Sequence, residues 1–166
     1  MEPLHGIEHV RRTAKFAEYL ARKEKADVQI ARLGALLHQI HDKNLVEKLL
    51  REINIDEEII QKLVHCVECC EVESIENATT IEAKVVYDAD KLQVIGPFGI
   101  IREIICDVLP PRNRSFYEAL KHTKMIEQKC YDTLQTETAR ELAKEPHRLI
   151  RKFWEILDKW NKVDLY

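Results

Sequence analysis

The sequence predicts an all-α fold, and three observations carry that prediction. Apolar residues recur at helical spacing along almost the whole chain, and no segment shows the period-two alternation that is typical of strands. The chain has 166 residues with only 4 glycines, and 45% of its residues are hydrophobic, which favours a well-packed helical domain. We therefore expect a single-domain helical bundle over residues 1–166, with Pro110-Pro111 as the candidate seam.

Each helix of the first half is placed by an apolar face and by a residue that can cap its N-terminus. In the first helix, Val10, Ala14 and Ala17 share one face. Asp27, Asn44 and Asp56 are side chains of the type that caps helices, and Thr79 with Glu82 matches a capping box. The predicted order is Ile7–Lys23, a helix capped by Asp27, a short helix capped by Asn44, a helix from Asp56 to about Cys70, a loop over Glu71–Ala78, and a helix opened by Thr79 that runs to Val94.

Prolines divide the second half. Gly96-Pro97 is expected to start a helix and Pro110-Pro111 to end it, because proline is accepted in a first turn and not in a helix interior. From Ser115 onward we expect two or three helices. The last of these is predicted to begin near Pro146.

Composition excludes several classes of partner. The net charge is −3 and no basic stripe is interleaved with aromatic residues, so we expect no nucleic-acid partner. No apolar run approaches the ~20 residues that cross a bilayer, so we expect no membrane span. The five cysteines, an odd number, fit a reducing compartment better than a disulfide framework, which places the protein in the cytoplasm.

Residues that can bind a metal or move a proton fall beside the apolar faces of separate predicted helices. Helical bundles build metal sites from inward-facing ligands on different helices. Spacing alone also allows these to be unrelated surface or core residues. The candidates are His5, Glu8 and His9; His38, His41 and Asp42; His65 with Cys66, Cys69 and Cys70; and Asp88 and Asp90.

Three segments match a known family pattern. They read HGIEHVRR (residues 5–12), ALLHQIHD (35–42) and DADKLQVIGPFGIIR (88–102), and the last is the most specific. The sequence resembles the HD-domain superfamily of metal-dependent phosphohydrolases, whose pattern is a His, an adjacent His-Asp pair and a distant Asp. Weaker similarity continues to the last helix, so the resemblance covers most of the chain. It implies a helical HD-type fold and an enzyme that hydrolyses a phosphate ester or anhydride.

The resemblance also implies a metal site. His9, His38 and Asp90 stand at the positions of metal ligands. Asp42 stands where relatives often have an acid that would orient or deprotonate the attacking water, so it is the candidate catalytic residue. The implied cofactor is a divalent metal ion, with Mn, Fe, Co, Ni, Mg and Zn all left open.

Further positions acquire roles through the same resemblance. Lys91 and Arg12 match positions that could face phosphate oxygens, although a solvated surface role stays open for both. His5 and Asp88 flank proposed ligands, and we expect them to support those ligands or to cap helices. The implied partner is a small phosphorylated substrate such as a nucleotide, and a homo-oligomer is left open.

Two departures put the family reaction in doubt. Gln39 replaces the defining Asp of the pair, and Cys70 stands where relatives often have a His. Gln39 can offer a neutral carbonyl oxygen as a weak ligand but no charge, whereas hard divalent cations favour anionic oxygens. Three hypotheses follow: a hydrolase weakened by Gln39, a degenerate member that binds a nucleotide or protein without turnover, and a site in which Cys70 selects a softer metal such as zinc.

The cysteine cluster offers a separate alternative. Cys66, Cys69 and Cys70 follow His65 within two turns of one helix, and no second pair with zinc-finger spacing exists. A dedicated zinc site and a set of small buried hydrophobes both fit this pattern.

Overall fold

A computed structural model of the chain describes residues 6–162. The all-α prediction is confirmed: the described residues form eight α-helices and a short 3₁₀ turn, with no strand among them. None of these helices is both long and apolar enough to cross a membrane. The helices are α1 (Ile7–Glu24), α2 (Val28–Leu37), α3 (Lys43–Glu52), α4 (Glu57–Glu68), α5 (Ile81–Lys91), α6 (Pro97–Val108), α7 (Phe116–Asp132) and α8 (Glu137–Trp160), and the 3₁₀ turn is Ile75–Asn77.

The core is built on α1, α2, α4 and α5. Helix α1 packs on α2 and α5, and α2 also packs on α4 and α5. The same apolar cluster includes Cys130 from α7 and Ala139 and Ala143 from α8, so residues on both sides of Pro110-Pro111 share one core. Helices α6, α7 and α8 pack against one another around a smaller cluster of Ile150, Trp154 and Ile100.

Two predicted caps are displaced by one or two residues. Helix α3 is capped by Asp42 rather than Asn44, because the Asp42 carboxylate accepts from the main-chain N–H groups of Asn44 and Leu45. Helix α5 is capped by Thr80 rather than Thr79. The side chain and main-chain N–H of Thr79 are instead within hydrogen-bond distance of His65 Nε2, 3.2 and 3.1 Å away. The predicted caps Asp27 and Asp56 are confirmed.

The last helix begins one residue after Thr136 and runs through Pro146, so the predicted start near Pro146 is wrong. A proline inside a helix removes a hydrogen bond and costs about 3 kcal/mol. Here the buried face continues on both sides of the proline, and its burial outweighs that cost. The residues of this face are Ala139, Ala143, His147, Ile150 and Trp154.

Candidate metal centre

Three ligand-type side chains from three helices meet at one point. His9 lies in the first turn of α1, His38 directly follows α2, and Asp90 lies in the last turn of α5. His9 Nε2 is 3.2 Å from His38 Nε2 and 3.2 Å from Asp90 Oδ1, and His38 Nε2 is 3.6 Å from that oxygen. Both histidines are buried. The packing of α1 on α2 and α5 therefore creates the cluster.

The spacing of these atoms suits a single divalent ion. Two ligand atoms that are each about 2.1 Å from one ion lie roughly 3.0 Å apart at 90° and roughly 3.4 Å apart at a tetrahedral angle. The observed separations of 3.2, 3.2 and 3.6 Å are close to that range. Two imidazoles and one carboxylate are also a ligand set that transition metals accept. The residues present thus fit the metal that HD domains typically bind.

The Gln39 amide occupies the side of the cluster next to His38. The Nδ1 atom of His38 is 2.6 Å from the carbonyl oxygen of Ala35, and a carbonyl only accepts, so Nδ1 donates. In the neutral ring Nε2 is then an acceptor, and it lies 2.8 Å from Gln39 Nε2. The amide therefore donates to the lone pair that a metal would use. Rotation of the amide by 180° would present its oxygen instead.

Arg102 contacts His9 at Nδ1, the ring nitrogen that does not face the other members of the cluster. Its Nη1 atom is 2.8 Å from His9 Nδ1, and because a guanidinium only donates, Nδ1 accepts. In the neutral ring the proton is then on Nε2, which faces Asp90. A metal at Nε2 would require this proton to move and the contact with Arg102 to change. Arg102 has a second partner in Glu103, whose Oε1 is 2.9 Å from Nη2.

Asp90 and Lys91 form an ion pair at the edge of the cluster. Lys91 Nζ is 2.7 Å from Asp90 Oδ2, and the lysine is buried. Burial alone would raise the pKa of Asp90, but the Lys91 ammonium, together with the hydrogen bond that His9 Nε2 donates to the carboxylate, holds that pKa well below its usual range. The carboxylate is therefore anionic at neutral pH, as a hard cation requires.

Two residues of the cluster, His9 and Asp90, line a cavity of about 740 Å³, a size within the range of small-molecule sites. Cationic and acidic side chains from several helices and loops share this wall. The sequence does not single out Arg112, and it gives Arg102 only as the final letter of the third matching segment. The lining includes His9, Gln39, Asp90, Lys91, Arg102 and Arg112, together with Glu71, Glu73 and Glu103.

Two predicted site residues lie elsewhere. Asp42 is exposed, caps α3 and does not line this cavity, so the structure gives no support to its predicted catalytic role. Arg12 lies with its guanidinium carbon 3.8 Å from the centre of the Phe98 ring and borders a different surface depression. Both residues are predicted from their positions in the matching segments, and those positions do not determine where the side chains point.

The remaining predictions concern residues near the ligands. His5 lies outside the described residues. Asp88 is fully buried, and its carboxylate accepts from the main-chain N–H groups of Gln135 and Thr136 and from the Thr136 hydroxyl, so it fixes the start of α8.

The cysteines pack as buried thiols. Within residues 6–162, the grouping of potential ligands that could hold a metal contains His9, His38 and Asp90 and no cysteine, which disfavours zinc binding by Cys70. Cys66, Cys69 and Cys70 are all buried. Burial raises the pKa of the Cys66 thiol to about 12.

Comparison with known proteins places the chain in a family. Residues 6–95 match the HD domain. The chain is 30% identical to the YpgQ protein of Bacillus subtilis, in a match that covers 93% of this chain and 83% of YpgQ. The crystal structure of YpgQ in complex with ADP matches with a TM-score of 0.78 and 28% identity, covering 93% of this chain and 86% of that one. An HD-superfamily hydrolase from Bacillus thuringiensis matches with a TM-score of 0.71 and 27% identity, covering 94% and 86%. The chain therefore belongs to the HD-domain family.

Proposed function

We propose that this protein hydrolyses a phosphate ester or anhydride of a nucleotide with the help of a divalent metal ion. The observation that carries the proposal is the convergence of His9 Nε2, His38 Nε2 and Asp90 Oδ1 within 3.2–3.6 Å of one another, with His9 and Asp90 on the wall of the cavity. When bound there, a divalent cation supplies Lewis-acid polarisation of a phosphoryl oxygen. Asp90 contributes the one negative charge of this ligand set.

The chain's own side chains would bind and orient the phosphate. Lys91 and Arg112 line the same cavity as the cluster and carry the charge that complements a phosphate. Lys91 is held in place by its ion pair with Asp90. Burial alone would lower the pKa of Lys91, but the negative charge of Asp90 and of other nearby acidic groups has the larger effect and raises it. It therefore stays an ammonium ion throughout the physiological range.

A nucleotide is the substrate class that the relatives favour. YpgQ, which matches 93% of this chain, has been crystallised with ADP. A cavity of about 740 Å³ is large enough for a molecule of that size. We infer that this chain takes a small nucleotide in the corresponding cavity.

The location of the reaction is part of the proposal. All five cysteines are buried free thiols, and none forms a disulfide bond. Buried thiols of this kind are typical of proteins in reducing compartments. We infer that the protein acts in the cytoplasm.

The test is metal-dependent release of phosphate. Protein stripped of metal should gain activity towards a panel of nucleotides when Mn, Co, Ni or Mg is restored, and His38→Ala should lose both the metal and the activity. His65→Ala is the matched control, because His65 lies on α4 and contacts Thr79 instead of the cluster. Activity that is equal with EDTA, or equal in His38→Ala, would overturn the proposal.

A second function, nucleotide binding without turnover, is favoured by the two contacts that compete with a metal. The Gln39 amide donates to His38, and Arg102 donates to His9, so the cluster is satisfied by the chain itself. This function predicts ADP binding of equal strength in EDTA and in Mn, with no release of phosphate. The hydrolase proposal predicts instead that Mn changes the strength of ADP binding and starts the release of phosphate.

A further inference from the structure

The buried carboxylate of Asp107 is contacted by three side chains that can donate hydrogen bonds. Asp107 lies on α6 and is fully buried. Its Oδ1 accepts from Arg114 and from Nη1 of Arg112, which is 3.0 Å away. Its Oδ2 is 2.7 Å from Nδ1 of His122 on α7. A buried charge is costly unless it is paired, so this arrangement fixes the positions of the two arginines.

The two arginines differ in what else they face. About the same fraction of each side chain is exposed, 37% for Arg112 and 36% for Arg114. Only Arg112 lines the cavity that contains the metal-ligand cluster. The main-chain N–H of Arg114 donates to the carbonyl oxygen of Asp107, 2.8 Å away, so Arg114 also closes the turn after α6. A guanidinium has five N–H donors, and Asp107 uses only part of those on Arg112.

The two arginines around Asp107 carry one more positive charge than that carboxylate neutralises, although Glu71 and Glu73 add negative charge elsewhere on the cavity wall. Lys91 is paired with Asp90 at 2.7 Å, and Arg102 with Glu103 at 2.9 Å. Asp107, by contrast, is a single carboxylate shared by two guanidinium groups. This part of the wall therefore attracts an anion.

We propose that Arg112 binds a phosphate group of the nucleotide other than the one at the metal cluster, and that Asp107 positions it to do so. The inference rests on the proposed function, since it concerns the same cavity. It narrows the substrate class to nucleotides with at least two phosphates, because a second cationic group would strengthen the binding of a second phosphate. Arg112 would act through the bidentate geometry that favours arginine at phosphate sites.

The test compares two arginine variants that lose the same contact with Asp107. Binding of ADP and of AMP would be measured by calorimetry with Mn present. Arg112→Gln should weaken ADP binding about tenfold or more and AMP binding by much less, whereas Arg114→Gln should leave the ratio of the two affinities within about twofold of wild type. Arg112→Lys should recover only part of the loss, because lysine keeps the charge but not the planar fork.

The role of Asp107 has its own readout. Asp107→Asn should lower the preference for ADP over AMP, whereas a purely structural role would lower the melting temperature and leave that preference unchanged. Unchanged ADP binding in a folded Arg112→Gln or Arg112→Lys variant, or equal losses in the Arg112 and Arg114 variants, would overturn this inference and leave the proposed function intact. Failure of the wild-type protein to bind ADP, with phosphate still released from another nucleotide, would overturn this inference alone, whereas the absence of both binding and phosphate release with any nucleotide would overturn both.

Discussion

Replacing Gln39 with Asp tests whether the metal site is one side chain away from the family pattern. The Gln39 amide nitrogen lies 2.8 Å from His38 Nε2 and 3.5 Å from His9 Nε2, and it donates to the first of these. A carboxylate at this position cannot donate. Without metal it would face the His38 lone pair and add a second negative charge near Asp90, whereas with metal it would become an additional anionic ligand.

The expected cost without metal follows from these contacts. Loss of the amide hydrogen bond costs about 1 kcal/mol. Two carboxylates about 5 Å apart repel by about 3 kcal/mol at an effective dielectric constant of about 20, and rotation of the half-exposed side chain towards solvent would relieve part of this. A net loss of about 2 kcal/mol would lower the melting temperature of a chain of this size by about 4–8 °C. An ion at a hundred times its dissociation constant would return about 2.7 kcal/mol.

The assay is a set of thermal melts of wild type, Gln39→Asp and Gln39→Asn, each with EDTA and with Mn. Gln39→Asn shortens the side chain in the same way but adds no charge, so it isolates the effect of the carboxylate. We expect Gln39→Asp to melt below wild type in EDTA, to gain more from Mn than either other protein, and to hydrolyse nucleotides faster. Equal shifts for Gln39→Asp and Gln39→Asn under both conditions would refute this reasoning.

Three further predictions concern the fold. A Cβ at Gly99 would lie 1.8 Å from the main-chain oxygen of Val94, so Gly99→Ala should reduce the free energy of unfolding by more than about 3 kcal/mol in urea titrations. Asp88→Asn would set an amide N–H against the donors of Thr136 and should cost about 2–3 kcal/mol in the same assay; an unchanged midpoint would contradict it. Because burial raises the pKa of Cys66 to about 12, native protein at pH 8 should be alkylated there far more slowly than protein in denaturant, and equal rates would show that this thiol is accessible.

The sequence predicts the helices well where a short-range signal marks their ends. The predicted caps Asp27 and Asp56 are observed because each side chain accepts from N–H groups only two or three residues away. It fails at Pro146, where a local rule predicts a helix start. The buried face of α8 is a long-range property, set by packing against α1, α6 and α7.

The candidate site divides in the same way. His9, His38 and Asp90 belong to a pattern of residue types, and the structure brings them together. Asp42 belongs to the same pattern, yet its carboxylate is used by the first N–H groups of α3. No sequence pattern indicates Arg112, because its proposed role depends on a cavity whose wall combines residues from α1, α5, α6 and the turn after α6.

The family match covers the candidate metal ligands but not all of the residues that line the cavity. The HD domain match ends at residue 95 and contains all three ligand positions, whereas Arg102, Glu103 and Arg112 follow it in α6 and the turn beyond. These later residues also line the cavity, and Arg102 contacts the cluster directly through His9. The family match therefore covers the residues that would hold a metal, whereas the phosphate contacts proposed for Arg112 lie beyond it. An Arg102→Gln variant tests the contact with His9: by releasing His9 Nδ1 it should raise the affinity for Mn, and an unchanged or lower affinity would mean that Arg102 supports the metal site rather than competing with it.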